Sequence, residues 1–536
     1  MPPTLSYPGI YIQEIPSGVH TIIGVATSIT AFVGRAPRGV VNEPITINSF
    51  SDYDRLYGGL SLQSTMSYAV SDFYANGGSQ AVIVRLANGG SPASIILPEN
   101  LSPPPVPPTN PGAGPYEGLY LQAKSVGSWG NLLTAQVDLP KTSAGSKDPT
   151  VFNMTVTLWD DTKTRAVLTE RYLNVSVDPH NPRYIARVLA QSSDLVVVTQ
   201  NSSNQDEVPL VAPAENLKPI WGTSGLDDND LTENDFVGPG LDAAKQGLYA
   251  LEKVDLFNLL VIPPFPDKST GGMDVGPNVR SQAAAYCETR RAFYIMDSPS
   301  TWTSKQEVLD DLDNFVGDRS KNAAVFFPRL IEPNLLHDDQ LETFVASGAV
   351  AGIFGKIDAQ RGVWKAPAGQ ETALSGNVQG LSVPLTDPEN GELNPLGVNC
   401  LRSFHIIGRV VWGSRTLQGA DELASEWKYI PVRRTALFLE ESLFRGTKWV
   451  VFEPNDEPLW AQIRLNVNAF MQGLFLQNAF AGTKASDAYR VKCDKENNPP
   501  HSVDQGIVNI LVAFAPLEPA EFVVIQIQQL AGQTQA

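Results

Sequence analysis

The sequence predicts a multidomain α/β protein with a β-rich insertion and an α+β C-terminal domain, and three observations carry that expectation. Helical patterns and short apolar runs alternate regularly from residue 240 onward. A proline-dense stretch over residues 103–111 interrupts an α/β pattern that starts near residue 20. The last residues form an apolar strand pattern with only a short polar tail behind it. At 536 residues the chain has ample apolar surface for more than one core.

Residues 1–20 read as an extended arm, with a short strand after the Pro8-Gly9 turn that makes Ile10, Tyr11 and Ile12 candidate linking residues. Residues 21–90 form the first part of an α/β core. One strand is expected over 25–33 and a shorter one over 44–48. Met66, Ala69, Val70 and Phe73 repeat at helical spacing, the helix stops at Gly77-Gly78, and Ala81 to Val84 is a buried-strand run.

Near residue 91 the composition shifts. Pro103-Pro104-Pro105, Pro107-Pro108 and Pro111 make a stiff linker. Alternating segments at Asn153 to Leu158 and Leu195 to Thr199 predict strands, and the acidic stretch Asp227 to Asp230 closes the region. Residues 91–234 are therefore expected to be a β-rich insertion facing outward, free to vary without touching the core.

Over residues 235–395, helices at 241–254, 279–291 and 305–316 precede apolar runs at 256–262, 292–296 and 323–327. Such repeats imply a parallel sheet covered on both faces. Residues 396–515 are mixed α+β, and their longest helix runs over 457–477 behind the start signal Asn455-Asp456-Glu457-Pro458. Residues 516–536 end in Phe522-Val523-Val524-Ile525-Gln526-Ile527-Gln528. Val523, Ile525 and Ile527 share one face of that strand; Phe522 and Val524 share the other. An apolar edge at a terminus is an aggregation hazard that proteins keep where a partner supplies the missing neighbour.

The charge balance, 39 Lys and Arg against 57 Asp and Glu, gives −18 and excludes nucleic acid and anionic membranes as partners. No run is apolar and long enough to insert in a bilayer, and Met1-Pro2-Pro3-Thr4 opens no signal peptide, so synthesis and assembly in a cytoplasm are expected. Cys287, Cys400 and Cys493 are odd in number and far apart, which fits a reducing compartment and no metal centre. Gly238-Pro239-Gly240-Leu241 follows polar residues rather than a buried strand and reads as a helix-opening loop, not a dinucleotide fingerprint. Gly355-Lys356 lacks the other residues of a phosphate loop, and Ser224 sits in polar loop sequence without a nucleophile elbow. None of His20, His180, His337, His405 and His501 has a second ligand at i+4. No catalytic residue, cofactor or metal ligand is assigned.

Several segments resemble those of contractile tail sheath proteins from phages and phage-like injection systems. Tyr7-Pro8-Gly9-Ile10-Tyr11-Ile12-Gln13-Glu14-Ile15 is similar to the family's opening, as is Phe32-Val33-Gly34-Arg35-Ala36-Pro37-Arg38-Gly39. Asp358-Ala359-Gln360-Arg361-Gly362-Val363-Trp364-Lys365-Ala366-Pro367 resembles a central signature. Asn394-Pro395-Leu396-Gly397-Val398-Asn399, Val411-Trp412-Gly413-Ser414-Arg415-Thr416-Leu417 and Phe452-Glu453-Pro454-Asn455-Asp456-Glu457-Pro458-Leu459-Trp460 resemble its C-terminal stretches. The resemblance covers residues 7–90 and 240–530 and leaves the insertion unmatched.

It implies a subtilisin-like middle domain that is catalytically empty, and terminal exchange strands that complete the sheets of neighbouring subunits. The C-terminal domain would face an inner tube, with Glu457 and Arg464 as candidate polar contacts on the tube-facing helix. Implied partners are further copies of the chain in a helical homo-oligomer, the inner tube protein, and baseplate and terminator proteins. The implied function is a structural subunit of a contractile sheath that drives tube ejection. It would be assembled in the bacterial cytoplasm as part of a phage tail or an injection particle, some of which are released outside the cell. Two rivals are another structural component of the same machine, such as a baseplate or terminator protein, and an α/β hydrolase-like enzyme.

Overall fold

The computed structural model describes residues 20–99, 118–140, 148–200, 205–216, 218–266, 272–317, 319–524 and 526. Its body begins with β1 (Thr30–Arg35), β2 (Ile45–Ile47), α1 (Phe50–Tyr57), α2 (Thr65–Ala75) and β3 (Ala81–Leu86). Helix α2 starts where the Ser64 side chain accepts from the Ser67 N–H, and it stops before Gly77, whose φ of 104° suits glycine. Helix α1 is an element the sequence reading missed. Its signals are plain in hindsight: Ser49 caps it and Gly58 closes it at φ 96°.

The chain then builds a separate β module from β4 (Ser94–Pro98), β5 (Gly118–Ala123), β6 (Leu133–Asp138), β7 (Val151–Trp159), β8 (Ala166–Ser176), α3 (Ile185–Ser192), β9 (Val196–Val198) and β10 (Ile220–Trp221). Its two sheets, ordered β10-β6-β7-β8 and β4-β5-β9, enclose their own core. In β7 every second residue, Phe152, Met154, Val156 and Leu158, is buried, which is the period of a strand with one face inward. Outgoing and returning chains pair at the stem, with bridges Asn88 to Asn229 and Ser91 to Leu226. There Asp228, one of the acidic residues expected to close the region, takes Arg35 of β1 at 3.0 Å. Buried Arg85 of β3 donates to the carbonyls of Ala36, Gly39 and Val126, tying body to module.

The body resumes with α4 (Glu233–Val237), α5 (Leu241–Ala244), β11 (Leu259–Val261), β12 (Phe265–Pro266), β13 (Met273–Asp274), α6 (Pro277–Arg290), β14 (Phe293–Asp297), α7 (Lys305–Val316) and β15 (Ala323–Phe327). The single helix expected over 241–254 is corrected. Lys245 and Gly247 are left-handed at φ 52° and 61°, so α5 ends after one turn and a 3-10 helix takes over from Gly247 to Lys253. A Cβ on Gly247 would stand 2.3 Å from the Phe236 carbonyl oxygen, which is why glycine occupies that turn. Then follow β16 (Leu330–Asn334), β17 (Gln340–Phe344), α8 (Ser347–Arg361), β18 (Gly380–Leu381), α9 (Asp387–Leu393), β19 (Val398–Phe404) and β20 (Gly408–Val411).

Eight strands join in one sheet of order β2-β3-β1-β11-β14-β15-β19-β20. The six inner strands are parallel and the edges β2 and β20 antiparallel. Cores lie on both faces, Ala31 and Val33 pointing into one with α6 and α7, Phe32 into the other with α2 and α8. Helix α8 lies so close to α2 that a Cβ on Gly348 or Gly352 would come within 2.0 or 2.4 Å of the Ala69 or Phe73 carbonyl oxygen. The sheet also runs past the boundary expected at residue 395, because β19 and β20 are its last two strands.

The C-terminal module consists of α10 (Ile430–Gly446), α11 (Glu457–Leu476), α12 (Ala485–Ala488), β21 (Tyr489–Lys492), α13 (Pro500–Asp504) and β22 (Leu511–Phe514). The 20-residue α11 is the longest helix among the described residues, and the Asp456 side chain caps it by accepting from the Leu459 N–H. Helix α10 serves two cores: Ile430 and Leu437 pack with the body, Leu439 with α11. Ile22, from the other end of the chain, also sits in the C-terminal core.

Candidate functional site at the two chain ends

In open α/β sheets ligands bind beyond the carboxyl ends of the strands, where the strand order reverses. Here that point lies between β1 and β11, and it is filled. Gly34, Met66, Phe236, Pro264 and Phe265 leave about 20 Å³, room for roughly one water. The nearest thing to a catalytic constellation is Ser347 at the start of α8. Its hydroxyl donates to Asp297 Oδ2 at 2.6 Å and its N–H to Oδ1 at 2.8 Å, all buried. Burial pushes the Asp297 carboxyl up to about 6, against the pull of those hydrogen bonds and of Arg329.

No histidine bonds either residue. His20 stacks on Trp449, His180 sits on Asp178, His337 on Glu342 and His501 on Gln505, while His405 lies in the turn after β19. A second acidic pair, Asp72 of α2 and Glu332 of β16, is 4% and 6% exposed, and burial raises both carboxyls. Gly355-Lys356 lies within α8, and Ser224 is in the stem loop. Among the described residues no group of three or more His, Cys, Asp and Glu could hold a metal, and no helix is long and apolar enough to cross a membrane.

A different kind of site forms where the chain ends meet. Residues 20–27 run along the C-terminal module: Ile22 packs under Gly446, the Val25 N–H donates to Ser442 Oγ at 3.2 Å, and the Thr27 hydroxyl donates to Asp358 at 2.6 Å. Asp358 opens the central signature and also binds buried Arg434 of α10 at 2.6 Å. That acid thus joins α8, α10 and the incoming N-terminal segment. Glycine at 362, with φ 90°, lets the Trp364 ring lie against the backbone; a Cβ there would meet it at 2.4 Å.

At the other end, β21 and β22 pair antiparallel, Val491 opposite Val512, and no third strand joins either among the described residues. Tyr489, Val491, Val512 and Phe514 pack inward while Arg490, Leu511 and Ala513 face out. After β22 the chain crosses a groove of about 680 Å³ between the module and the body. It is then held by Glu521, which Arg415 grips at 2.9 and 2.6 Å. The Asn399 side chain sets Arg415 by accepting its N–H at 2.6 Å and donating to its carbonyl at 2.7 Å. Two of the quoted C-terminal segments therefore meet to present one guanidinium.

Of the residues singled out from sequence, Ile10, Tyr11, Ile12, Ile525 and Ile527 lie outside the described residues. Phe522, Val523 and Val524 are 75%, 78% and 82% exposed and belong to no strand among the described residues. Glu457 and Arg464 pair along one face of α11 at 2.7 Å, and Arg464 also donates to the Cys493 carbonyl. Sequence reading missed Arg415, Asn399 and Glu521 as a unit. The available signal was an acid placed directly before an exposed apolar run.

The α/β body thus has a filled crevice where its strand order reverses, and the two-stranded sheet of the C-terminal module is open at both edges among the described residues. Residues 422–529 match the family described as phage tail sheath C-terminal domain. Tail sheath proteins are relatives of the chain. That of Vibrio phage KVP40 is 27% identical over 185 residues, covering 34% of this chain and 26% of that one. That of Enterobacteria phage T4 is 28% identical over 171 residues, covering 32% and 24%. The chain thus aligns with about a quarter of the length of those two relatives. Across 98% of the chain the fold is similar to that of a sheath complex of an extracellular contractile injection system in its contracted state. The two superpose with a TM-score of 0.57 at 20% identity, each covered to 98%.

Proposed function

We propose that the chain is a sheath subunit that polymerises into a helical contractile sheath around an inner tube and drives tube ejection by contraction. The observation that carries the reading is the C-terminal module. Its sequence is similar to the tail sheath type, and it offers a two-stranded sheet open at both edges among the described residues, followed in the chain by an exposed apolar run. Strand addition through backbone hydrogen bonds, each worth roughly 0.5–1.5 kcal/mol net, would hold copies together while bodies shift. The donated strands would be the terminal segments around Ile10 to Ile12 and Phe522 to Ile527. In this reading the body is subtilisin-like without catalysis, the insertion faces outward, and Glu457 and Arg464 offer weak, releasable contacts to the tube. Baseplate and terminator proteins are the further partners, and assembly takes place in the bacterial cytoplasm.

Removal of residues 521–536 tests it. The expected product is a folded monomer, normal by circular dichroism, that forms no tubes in sedimentation and negative-stain microscopy. Normal tubes from the truncated chain would sink strand linkage, and rings of fixed size from the intact chain would favour a baseplate or terminator role.

A further inference from the structure

Between β22 and the exposed run lies a short strap, and we infer that the Arg415–Glu521 pair is its positioning clasp, fixing where and in which direction the C-terminal segment leaves the body toward a neighbouring copy. The inference rests on the strand-linked reading above.

The near end of the strap is held by backbone. The Ala515 N–H donates to the Ala488 carbonyl at 2.8 Å and the Ala515 carbonyl accepts from the Ala481 N–H at 3.0 Å. Residues 516–520, Pro-Leu-Glu-Pro-Ala, make no backbone hydrogen bond among the described residues, and the two prolines have no N–H to give. They form one wall of the 680 Å³ groove, opposite Trp364, Lys365 and Trp412, and do not fill it. Pro516, Leu517 and Pro519 are half-buried while Glu518 and Ala520 are exposed, so packing holds the strap only in part. Glu521 places the far end, 15% exposed, against a guanidinium that is fully buried. A fork-on-fork pair has one plane and one approach direction, so it sets orientation as well as distance. The tyrosine hydroxyl of Tyr429 adds a third bond to Glu521 at 3.3 Å. Arg415 cannot follow a departing Glu521, because its Nη1 is also held by the Gly419 carbonyl at 3.0 Å and by Asp421 at 2.9 Å. Those same partners keep Arg415 from being orphaned when Glu521 loses its charge, so the clasp can be opened without emptying the buried charge of all its partners.

The test uses the full-length chain before assembly, digested with a broad-specificity protease, with cut sites read by mass spectrometry. Glu521→Gln is expected to keep the parental circular dichroism and to be cut within 516–524 at least ten-fold faster. Glu496→Gln, which removes an exposed acid of the same module and leaves Glu521 on Arg415, is expected to be cut at the parental rate. Tube formation by Glu521→Gln is expected to slow at least ten-fold. Cutting of Glu521→Gln at the parental rate, equal acceleration in Glu496→Gln, loss of the fold in Glu521→Gln, or unchanged assembly despite faster cutting would each overturn the clasp. Digestion is read on unassembled protein, so it stands apart from the sheath reading, which falls instead if the parent chain makes no tubes.

Discussion

Asp297 shows how a residue that looks chemical can be structural. Its carboxyl sits at the end of β14 with both oxygens taken by Ser347, and it orients the first turn of α8. Burial raises its folded-state value from 3.8 to about 6, so the carboxyl binds its proton more tightly in the folded chain. This contribution to stability is therefore largest below the unfolded value and is lost as pH rises from about 4 through 6. An upward shift of that size corresponds to roughly 2–3 kcal/mol. Asp297→Asn can still accept from the Ser347 N–H and donate to its hydroxyl. Thermal melts of the variant are expected to show a shallower pH 4–6.5 slope than the parent, the rest belonging to the raised Asp72 and Glu332 carboxyls, while stability at pH 7 holds or rises. A slope equal to the parent's would place the titration elsewhere.

At the level of elements, what sequence could specify was whatever carries its own start and stop. Helix α7 and strand β15 fall at the residues the pattern gave, because Ser304 caps the helix, Gly317 ends it, and Ala323 to Phe327 is a closed apolar run. The stretch 241–254 failed because periodicity is blind to two left-handed residues in its middle. The exposed C-terminal run was legible as apolar, but its pairing was not, since a strand's partner lies outside the chain that encodes it. Arg415 stayed hidden because its acid is more than a hundred residues away. Contact between α2 and α8 depends on glycine in a way periodicity also cannot show. Gly348→Ala would drive a methyl into the Ala69 carbonyl, and an overpacking cost of about 1–3 kcal/mol or more is expected in urea unfolding. A loss under about 0.5 kcal/mol would mean that the helices part freely.

For the whole molecule, the β module is joined to the body by a stem, and the stem belongs to both. Asp228 holds Arg35 and Leu231 packs in the body core, so a cut at residue 234 would take body residues with it. Replacing residues 93–222 with a short linker, keeping 223–234, is expected to give a folded protomer that still forms tubes. Replacing 91–234 is expected to melt at least several degrees lower. Equal melting temperatures for the two deletions would show that the stem contributes nothing to the body.

The two ends are held by different parts of the molecule: Ile22 is buried in the C-terminal core, while the outgoing C-terminal segment is gripped at Arg415, beside Asn399 of the eight-stranded sheet. Were copies of the chain tied together through those ends, one tie would pull on the module and the other on the body. A protein so attached feels each tug from its neighbours as a turn, much as a yoke swings when its two reins are drawn unequally.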